Sequence, residues 1–219
     1  KSKYTSPEIY WESDNSLILN ETSKFKSSSI TDKLSETYDF VVSKVDYDNL
    51  KLGINNVRQG AVATLKNGSG VCMEYSDLLI TMLRAQGIPS RAVFGYGYDP
   101  SKKNTLPEKH QWVQAYVEGT GWVSLDPTWG NTSRRFIGSD FDHFSWFYST
   151  TNVDIPAEGI RLGATTGDTS FNNPDIFIEP IEGNVLTEKL LKADELSNTF
   201  KLDNLNSLIF SFRTYINIK

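Results

Sequence analysis

The chain has 219 residues, 38% of them hydrophobic and 22% charged, which is the balance of a globular protein long enough to bury a sizeable core. Its net charge is −5 and it has no basic run, which argues against a nucleic-acid surface because such surfaces neutralise phosphates with lysine and arginine. One cysteine cannot form an intramolecular disulfide, and no Cys/His cluster has the spacing of zinc ligands. We therefore expect neither a metal nor another cofactor, and no nucleic-acid partner.

The ends of the sequence say little about location. No signal peptide and no initiator methionine begin it, so it could be a piece of a longer chain. No apolar run is long enough to span a bilayer, which predicts no membrane-spanning segment. Richness in Asn, Ser and Thr favours an extracytoplasmic or cell-surface domain, but localisation and oligomeric state stay open.

The first part of the chain is predicted to be a lead-in followed by helices. Residues 1–29 are polar and broken by Pro7, which predicts a loosely packed lead-in segment. Apolar residues then recur at helical spacing after Thr31, which is a suitable helix cap. The predicted elements are short docking strands at 9–11 and 17–19, a helix over 31–45 and a shorter helix over 57–65.

The strongest helical pattern follows a glycine-rich breaker at residues 67–70. From Val71 the apolar residues recur on one face until Leu83. Gly87 then supplies a C-terminal cap and Pro89 a stop. We expect this helix to be the central element of the fold.

Beyond the helix the pattern changes to strands. Two of them are joined by a glycine-containing turn and should form a hairpin. The predicted elements are strands over 92–98, 111–117 and 122–125, an irregular aromatic-rich stretch over 129–148, strands at 160–162 and 176–178, a helix or linker over 187–197, and a strand over 207–218. This pattern divides the chain into the lead-in, a catalytic core at 30–157 and a β-rich extension at 158–219 that could pack on the core.

The single cysteine, Cys72, lies where the glycine-rich turn becomes the helix. Backbone N–H groups at a helix N-terminus favour a thiolate and can also donate to an oxyanion on an attacked carbonyl. A buried, inert cysteine is the common alternative. The later His110 and the Asp126 that closes the paired strand favour a nucleophile with a base and an orienting carboxylate.

Four blocks in this order resemble the core of the transglutaminase-like superfamily, and of its bacterial members in particular. They are CMEYSDL from Cys72, LRAQGIPSRAV from Leu83, HQWV from His110 and GWVSLDPT from Gly121. The resemblance covers residues 57–130 well and 31–148 more loosely. It implies an α+β fold of the papain-like type, with the nucleophile helix packed on an antiparallel sheet.

The resemblance also implies a reaction. Cys72 would be the nucleophile, His110 the general base and then the general acid, and Asp126 the orienting carboxylate. Enzymes of this kind attack a glutamine carboxamide or a peptide bond in a protein or peptide substrate. They form a thioester and pass the acyl group to an amine or to water.

The sequence departs from animal transglutaminases, which place an oxyanion-stabilising tryptophan well upstream of the cysteine. No tryptophan lies between Trp11 and Trp112, and no acidic calcium loop is evident. The backbone N–H of Cys72 is therefore the main oxyanion candidate, with Gln59 as a substitute donor or a plain solvated glutamine. This departure favours hydrolysis over crosslinking. The candidates for lining a substrate cleft are Trp112, Trp129 and Tyr75, and packing over the sheet is the alternative for the aromatic residues from 129 to 148.

Strand parity sets a condition on the site. His110 and Asp126 share a face only if the hairpin loop has an odd length, as with a three-residue loop at 119–121, and a two-residue turn would separate them. Even then the two residues are not directly opposite, so a bend or irregularity is needed. His143 is a second candidate base, but His110 is preferred because its strand pairs with the strand that ends at Asp126.

The sequence is compatible with three functional hypotheses. The first is a thiol enzyme that transfers acyl groups or hydrolyses amides. The second is a non-catalytic module that keeps the fold and binds a peptide or carbohydrate in its cleft. The third is a structural domain with a fortuitous cysteine. The complete set of Cys72, His110 and Asp126 favours the first.

Overall fold

The computed structural model describes residues 3–52, 57–98, 108–138 and 142–150, and the backbone of strands at Asp175–Ile181 and Ser211–Asn217. At 146 and 147 it describes the backbone alone. The chain forms two compact units, which are considered separately. The first comprises residues 1–97 and 109–159, and the second comprises residues 98–108 and 160–219.

Five α-helices and a short 3-10 turn belong to the described part of the first unit. They are α1 (Ser16–Thr22), α2 (Ile30–Lys44), the 3-10 turn Asn49–Lys51, α3 (Ala61–Asn67), α4 (Cys72–Ala85) and α5 (Pro127–Thr132). The cap of α2 is Ser29, whose Oγ accepts the N–H of Asp32 at 3.1 Å, so the prediction of Thr31 as the cap is wrong by two residues.

The lead-in is part of the core. Trp11 is 1% exposed and Ile18 is fully buried, so the prediction of a loosely packed lead-in is wrong for this stretch. Residues 17–19, predicted as a strand, lie in α1, which Asn15 caps by accepting the N–H of Leu17 at 3.0 Å. Because burial of the Trp11 indole removes a large apolar surface from water, it favours an ordered conformation of the lead-in around Trp11.

The described strands of this unit are β1 (Asp46–Tyr47), β2 (Ser69–Gly70), β3 (Ser90–Gly97), β4 (Glu108–Val117), β5 (Gly121–Leu125), β6 (Ile137–Gly138) and β7 (His143–Ser149). Five of them form a sheet in the order β6-β5-β4-β3-β7, in which the pairs β3–β7, β4–β5 and β5–β6 are antiparallel. A separate parallel pair, β1–β2, leads into α4. The stretch 129–148, predicted to be irregular, therefore contains part of α5 and two strands.

Helix α4 is the centre of the core. Its residues from Glu74 to Arg84 are all buried, not only those of the predicted apolar stripe. It contacts α1, α2, α3 and α5, and β3 of the sheet. This confirms the predicted α+β fold in which the helix that begins at Cys72 packs on an antiparallel sheet. A helix covered on all sides holds its first residue in a fixed place.

The hairpin between β4 and β5 has the predicted odd-length loop. Val117 pairs with Gly121, which leaves three loop residues at 118–120, one position earlier than predicted. Gly119 has a φ of 81°, the left-handed conformation that such a loop requires and that glycine adopts without steric cost.

In the second unit, strands β8 (Asp175–Ile181) and β9 (Ser211–Asn217) form an antiparallel pair. β8 contains the strand predicted at 176–178 and extends beyond it at both ends, and β9 lies within the strand predicted at 207–218. The predicted strand at 160–162 and the helix or linker at 187–197 lie outside the described residues. The division into 1–29, 30–157 and 158–219 stays a prediction. Among the described residues, no helix has the length and apolar character needed to cross a bilayer.

Candidate active site

Cys72 is the first residue of α4 and is partly exposed. The two residues that precede Cys72 pack closely against Glu74. The carboxylate of Glu74 accepts the N–H of Val71 at 3.0 Å. A Cβ on Gly70 would lie 2.3 Å from the Cβ of Glu74, so only glycine fits there. In the described part of the chain the backbone N–H of Cys72 has no acceptor, which leaves it directed past the helix end with the other orphan amides of the first turn.

His110 lies on β4 and connects the cysteine to a carboxylate. Its Nε2 lies 2.7 Å from Oδ2 of Asp126, and the Cys72 side chain lies near enough to raise the pKa of its imidazole. The ring stacks on Trp112 and Trp129 with centroids 5.9 and 6.0 Å away. The imidazole therefore packs against two indole rings, and 8% of its side chain is exposed.

Asp126 is fully buried and caps α5. Its Oδ1 accepts the N–H groups of Thr128 at 2.9 Å and Trp129 at 3.1 Å. Its carbonyl oxygen accepts the hydroxyl of Tyr38 at 2.9 Å, so α2 also holds this residue in place. Because the helix cap uses Oδ1, the other carboxylate oxygen is left for the imidazole of His110.

The strand register explains how His110 reaches Asp126. Regular pairing ends at Val113 and Leu125, and the next pair in that register, on the other face of the sheet, would be Trp112 and Asp126. His110 is one step further along that face, within the diagonal reach of a long side chain. Asp126 leaves the sheet as the cap of α5, which supplies the bend that the sequence required. The condition that both side chains share a face is met.

His143, which sequence reasoning set aside, reaches the same carboxylate. Its Nε2 lies 2.9 Å from Oδ2 of Asp126. Its ring stacks on Phe136 with centroids 4.4 Å apart and lies 4.2 Å from the ring of Trp129. The chain has only two histidines, and both point at one oxygen atom. That scarcity was the one available sequence signal for His143.

The charges of these groups depend on one another. Burial raises the pKa of Asp126, but the charge and hydrogen bond of His110 and those of His143 lower it by more, so the carboxyl is ionised. Burial lowers the pKa of His110, but the Asp126 carboxylate and then the Cys72 side chain raise it to about 10. An ionised carboxylate only accepts, so both histidines carry a hydrogen on Nε2, and Nδ1 of His110 is the nitrogen left for Cys72.

His110, Asp126 and His143 are also the described residues that could ligate a metal, since their ligand atoms lie within 4.8 Å of one another. The separations of 2.7 and 2.9 Å from the shared oxygen are those of hydrogen bonds. Ligands of a tetrahedral zinc with bonds of about 2.0–2.1 Å would lie about 3.3 Å apart. The geometry is that of a proton-sharing cluster.

The remaining predicted site residues have specific partners. Gln59 donates through Nε2 to the carbonyl oxygen of Ser69 at 2.9 Å, on the short strand that precedes Cys72. The predicted cleft residues Tyr75, Trp112 and Trp129 are 0%, 2% and 7% exposed. The expectation that they line a cleft is corrected: two of them pack around the histidines, and the hydroxyl of Tyr75 donates to the carbonyl of Val45.

Comparison with known proteins places this arrangement in a family. The sequence model described as the transglutaminase-like superfamily matches residues 18–127, which is just over half of the chain. The chain belongs to the transglutaminase-like superfamily.

Three relatives illustrate the range of that similarity. The uncharacterised protein YebA of Bacillus subtilis is 28% identical over 158 residues, which are 61% of this chain and 21% of YebA. A protein-glutamine gamma-glutamyltransferase of Pseudomonas aeruginosa is 37% identical over 67 residues, 28% of this chain and 10% of that protein. The crystal structure of the periplasmic domain of TgpA from the same organism has a TM-score of 0.43 and 24% identity, and the match covers 58% of this chain and 46% of that one. The chain thus spans only a small part of the length of these curated relatives.

Proposed function

We propose that this domain is a cysteine-dependent enzyme that forms a thioester with a carboxamide or peptide carbonyl of a protein or peptide substrate. The observation that carries the proposal is the series from the partly exposed Cys72 through His110 to the buried Asp126, in which Nε2 of His110 lies 2.7 Å from Oδ2 of Asp126 and the Cys72 side chain helps to raise the pKa of His110. Superfamily membership supports cysteine-based acyl chemistry of the acyltransferase or protease kind.

The charge state of His110 sets the order of the steps. With a pKa near 10 its imidazole holds a proton at neutral pH, and a cation beside Cys72 favours the thiolate. The thiolate sulfur attacks the substrate carbonyl carbon, and the C–N bond breaks as His110 gives its Nδ1 proton to the departing nitrogen. His110 thus acts first as an acid, whereas the sequence resemblance implied a base first.

The second half of the reaction reverses the proton transfer. Neutral His110 takes a proton from water or an amine as that nucleophile attacks the thioester, and the C–S bond breaks to release Cys72. Asp126 stays ionised throughout and keeps the imidazole oriented through its Nε2–H. Water as the acceptor gives hydrolysis, and an amine gives crosslinking or amine incorporation.

The oxyanion of the tetrahedral intermediate needs at least one donor. The backbone N–H of Cys72 is the first candidate, because no described residue accepts its hydrogen and it lies at the start of a buried helix. Gln59 is the second candidate, since its amide lies beside the strand that enters the site and has a second hydrogen beyond the one that it donates to Ser69. The absence of a tryptophan between Trp11 and Cys72 again favours hydrolysis over transfer.

Thiol reactivity tests the proposal without a known substrate. The protein has one cysteine, so iodoacetamide labels only Cys72. We expect the rate to be nearly constant between pH 8 and pH 6, whereas an ordinary thiol loses about tenfold per pH unit in this range. The same protein in urea is the matched control. Folded and unfolded protein with identical pH profiles would overturn the proposal and leave the binding-module hypothesis.

A substrate screen separates the two reaction types. Dimethylated casein with a fluorescent primary amine reports acyl transfer, and ammonia released in excess of the incorporated amine, or new amino termini, reports hydrolysis. We expect wild-type protein to show hydrolysis in excess of amine incorporation, and Cys72→Ala and Cys72→Ser to show neither while their urea unfolding stays unchanged. Activity that survives in Cys72→Ala would contradict the assignment of the nucleophile.

A further inference from the structure

We propose that His143 is a positioning residue with two effects on Asp126. It fixes the orientation of the Asp126 carboxylate, and it weakens the attraction of that carboxylate for the proton on His110. The inference rests on the proposed function, because it concerns the same site. Nothing in the sequence pattern or the family resemblance assigns this role to His143.

The hydrogen bonds of Asp126 leave it no freedom to rotate. Two backbone N–H groups occupy Oδ1, and the two histidines occupy Oδ2 at 2.7 and 2.9 Å. A carboxylate oxygen accepts about two hydrogen bonds, so all four positions are filled. Loss of the donor from His143 would free one position on the oxygen that His110 uses.

The ring of His143 is itself held in place. Phe136 stacks on it at an interplanar angle of 17°, and Trp112 meets it edge-on with centroids 5.0 Å apart. Its side chain is 5% exposed. A side chain packed this closely cannot swing away, so its Nε2 presents a fixed donor to Asp126.

Glycine at position 97 lets the two histidines meet. Gly97 pairs with His143 across β3 and β7, and a Cβ there would lie 3.3 Å from Cδ2 of His110. The site thus combines β3, β4 and β7 with the end of β5 around one oxygen atom. This convergence is a feature of the whole sheet and not of the β4–β5 hairpin alone.

The sign of the effect follows from the shared oxygen. A donor from His143 draws charge from the carboxylate and so weakens its attraction for the proton on His110. The titratable groups that face His110 are the Cys72 side chain from α4, Asp126 from the β5–α5 junction and His143 from β7, and the ion pair of Arg134 with Asp142 lies beyond Trp129. Removing the donor should therefore raise the pKa of His110.

Two variants separate the donor from the ring. His143→Gln keeps an N–H near the place of Nε2, and His143→Phe keeps the ring among its aromatic neighbours but removes the donor. Each variant leaves His110 as the only histidine, so its ring signals in nitrogen-15 NMR titrate without overlap. We expect His110 to titrate about one pH unit higher in His143→Phe than in His143→Gln.

Activity gives the second measurement. In the casein screen we expect the turnover of His143→Phe to fall about tenfold at unchanged KM, and His143→Gln to recover most of it. Equal titration of His110 in the two variants, or a lower value in His143→Phe, would overturn the inference, because a ring with a purely structural role would not distinguish them. His143→Met provides the same comparison if phenylalanine prevents folding.

The NMR titration needs no substrate, so it also separates the two proposals. If Cys72 reacts as an ordinary thiol, the proposed enzyme function fails whatever His110 does. If Cys72 is reactive in mild acid but His110 titrates alike in both variants, only the inference about His143 fails.

Discussion

Two buried carboxylates in this domain, Asp126 and Asp77, have pKa values shifted in opposite directions. Both are fully buried and both accept several hydrogen bonds. The pKa of Asp126 is lowered, whereas burial raises the pKa of Asp77 to about 6 against the opposing effect of Arg58. Burial alone therefore does not decide the charge of a carboxyl group in this core.

The difference lies in the donors. Asp126 caps a helix and accepts two backbone N–H groups in addition to two imidazoles. Asp77 lies inside α4, where the backbone offers it no donor; it accepts Nε and a terminal nitrogen of Arg58 at 2.7 and 2.6 Å and the indole N–H of Trp11 at 2.7 Å. Nearby Glu74 raises the pKa of Asp77 further. Asp126 orients a proton-carrying group, whereas Asp77 joins the lead-in to α4.

Matched alanine variants should separate these two roles most strongly. Asp126→Ala should lower the acyl-transfer or hydrolysis rate about 10³–10⁴-fold. Loss of the helix cap alone should cost about 1 kcal/mol in unfolding free energy, and loss of the ionised carboxylate that both histidines stabilise should add to that cost. Asp77→Ala should cost about 3 kcal/mol at pH 7, because it removes the buried carboxylate that accepts from Arg58 and Trp11, while activity per folded molecule stays within about threefold. Urea unfolding and the casein assay measure both variants. A folded Asp77→Ala protein as inactive as Asp126→Ala would remove the distinction.

The raised pKa of Asp77 should determine how the unfolding free energy changes between pH 4 and pH 7. Its folded pKa of about 6 lies above the unfolded value near 3.9, so its contribution is fully present below pH 4 and is lost as pH rises through 6. The stability gap between wild type and Asp77→Ala should therefore widen by about 2 kcal/mol from pH 7 to pH 4. The stability contribution of Asp126 depends on pH in the opposite direction, because its lowered pKa means that the contribution is lost only in stronger acid. Wild type and Asp77→Ala both contain Asp126, so its effect cancels in the comparison. Urea midpoints at four pH values test this, and a gap that narrows in acid would contradict it.

The smallest expected effect comes from two glycines. A methyl group on Gly97 would lie 3.1 Å from Cζ2 of Trp129 and 3.3 Å from Cδ2 of His110, so Gly97→Ala should displace the imidazole and lower activity at least about tenfold. Gly119→Ala is the control, because nothing lies within 4 Å of its added Cβ. Its left-handed φ should cost about 1 kcal/mol of stability without loss of activity. Equal activity in the two variants would show that the ring position near Asp126 is not critical.

Sequence patterns predicted the local parts of the site well. The apolar stripe from Val71 located α4 to within one residue of its start, and the odd-length hairpin loop is confirmed. These features depend on periodicities of 3.6 and 2 and on glycine in tight turns, which a single sequence displays directly. The lead-in was misjudged because the indole of Trp11 is held by a partner 66 residues away, Asp77, which adds to the local backbone bridge between Glu8 and Trp11.

The amino-acid sequence by itself determined that a cysteine begins a buried helix and that a histidine and an aspartate follow on paired strands. Only the tertiary structure decided that a second histidine shares the same oxygen of Asp126, and that the aromatic residues expected in a cleft enclose the histidines instead. The reason is the strand order: β7 pairs with β3, with a register shift between Phe94 and Gly95, and this sets His143 opposite Gly97 beside His110. Pairing between strands so distant in the chain depends on the packing of the whole core, which local periodicity does not encode.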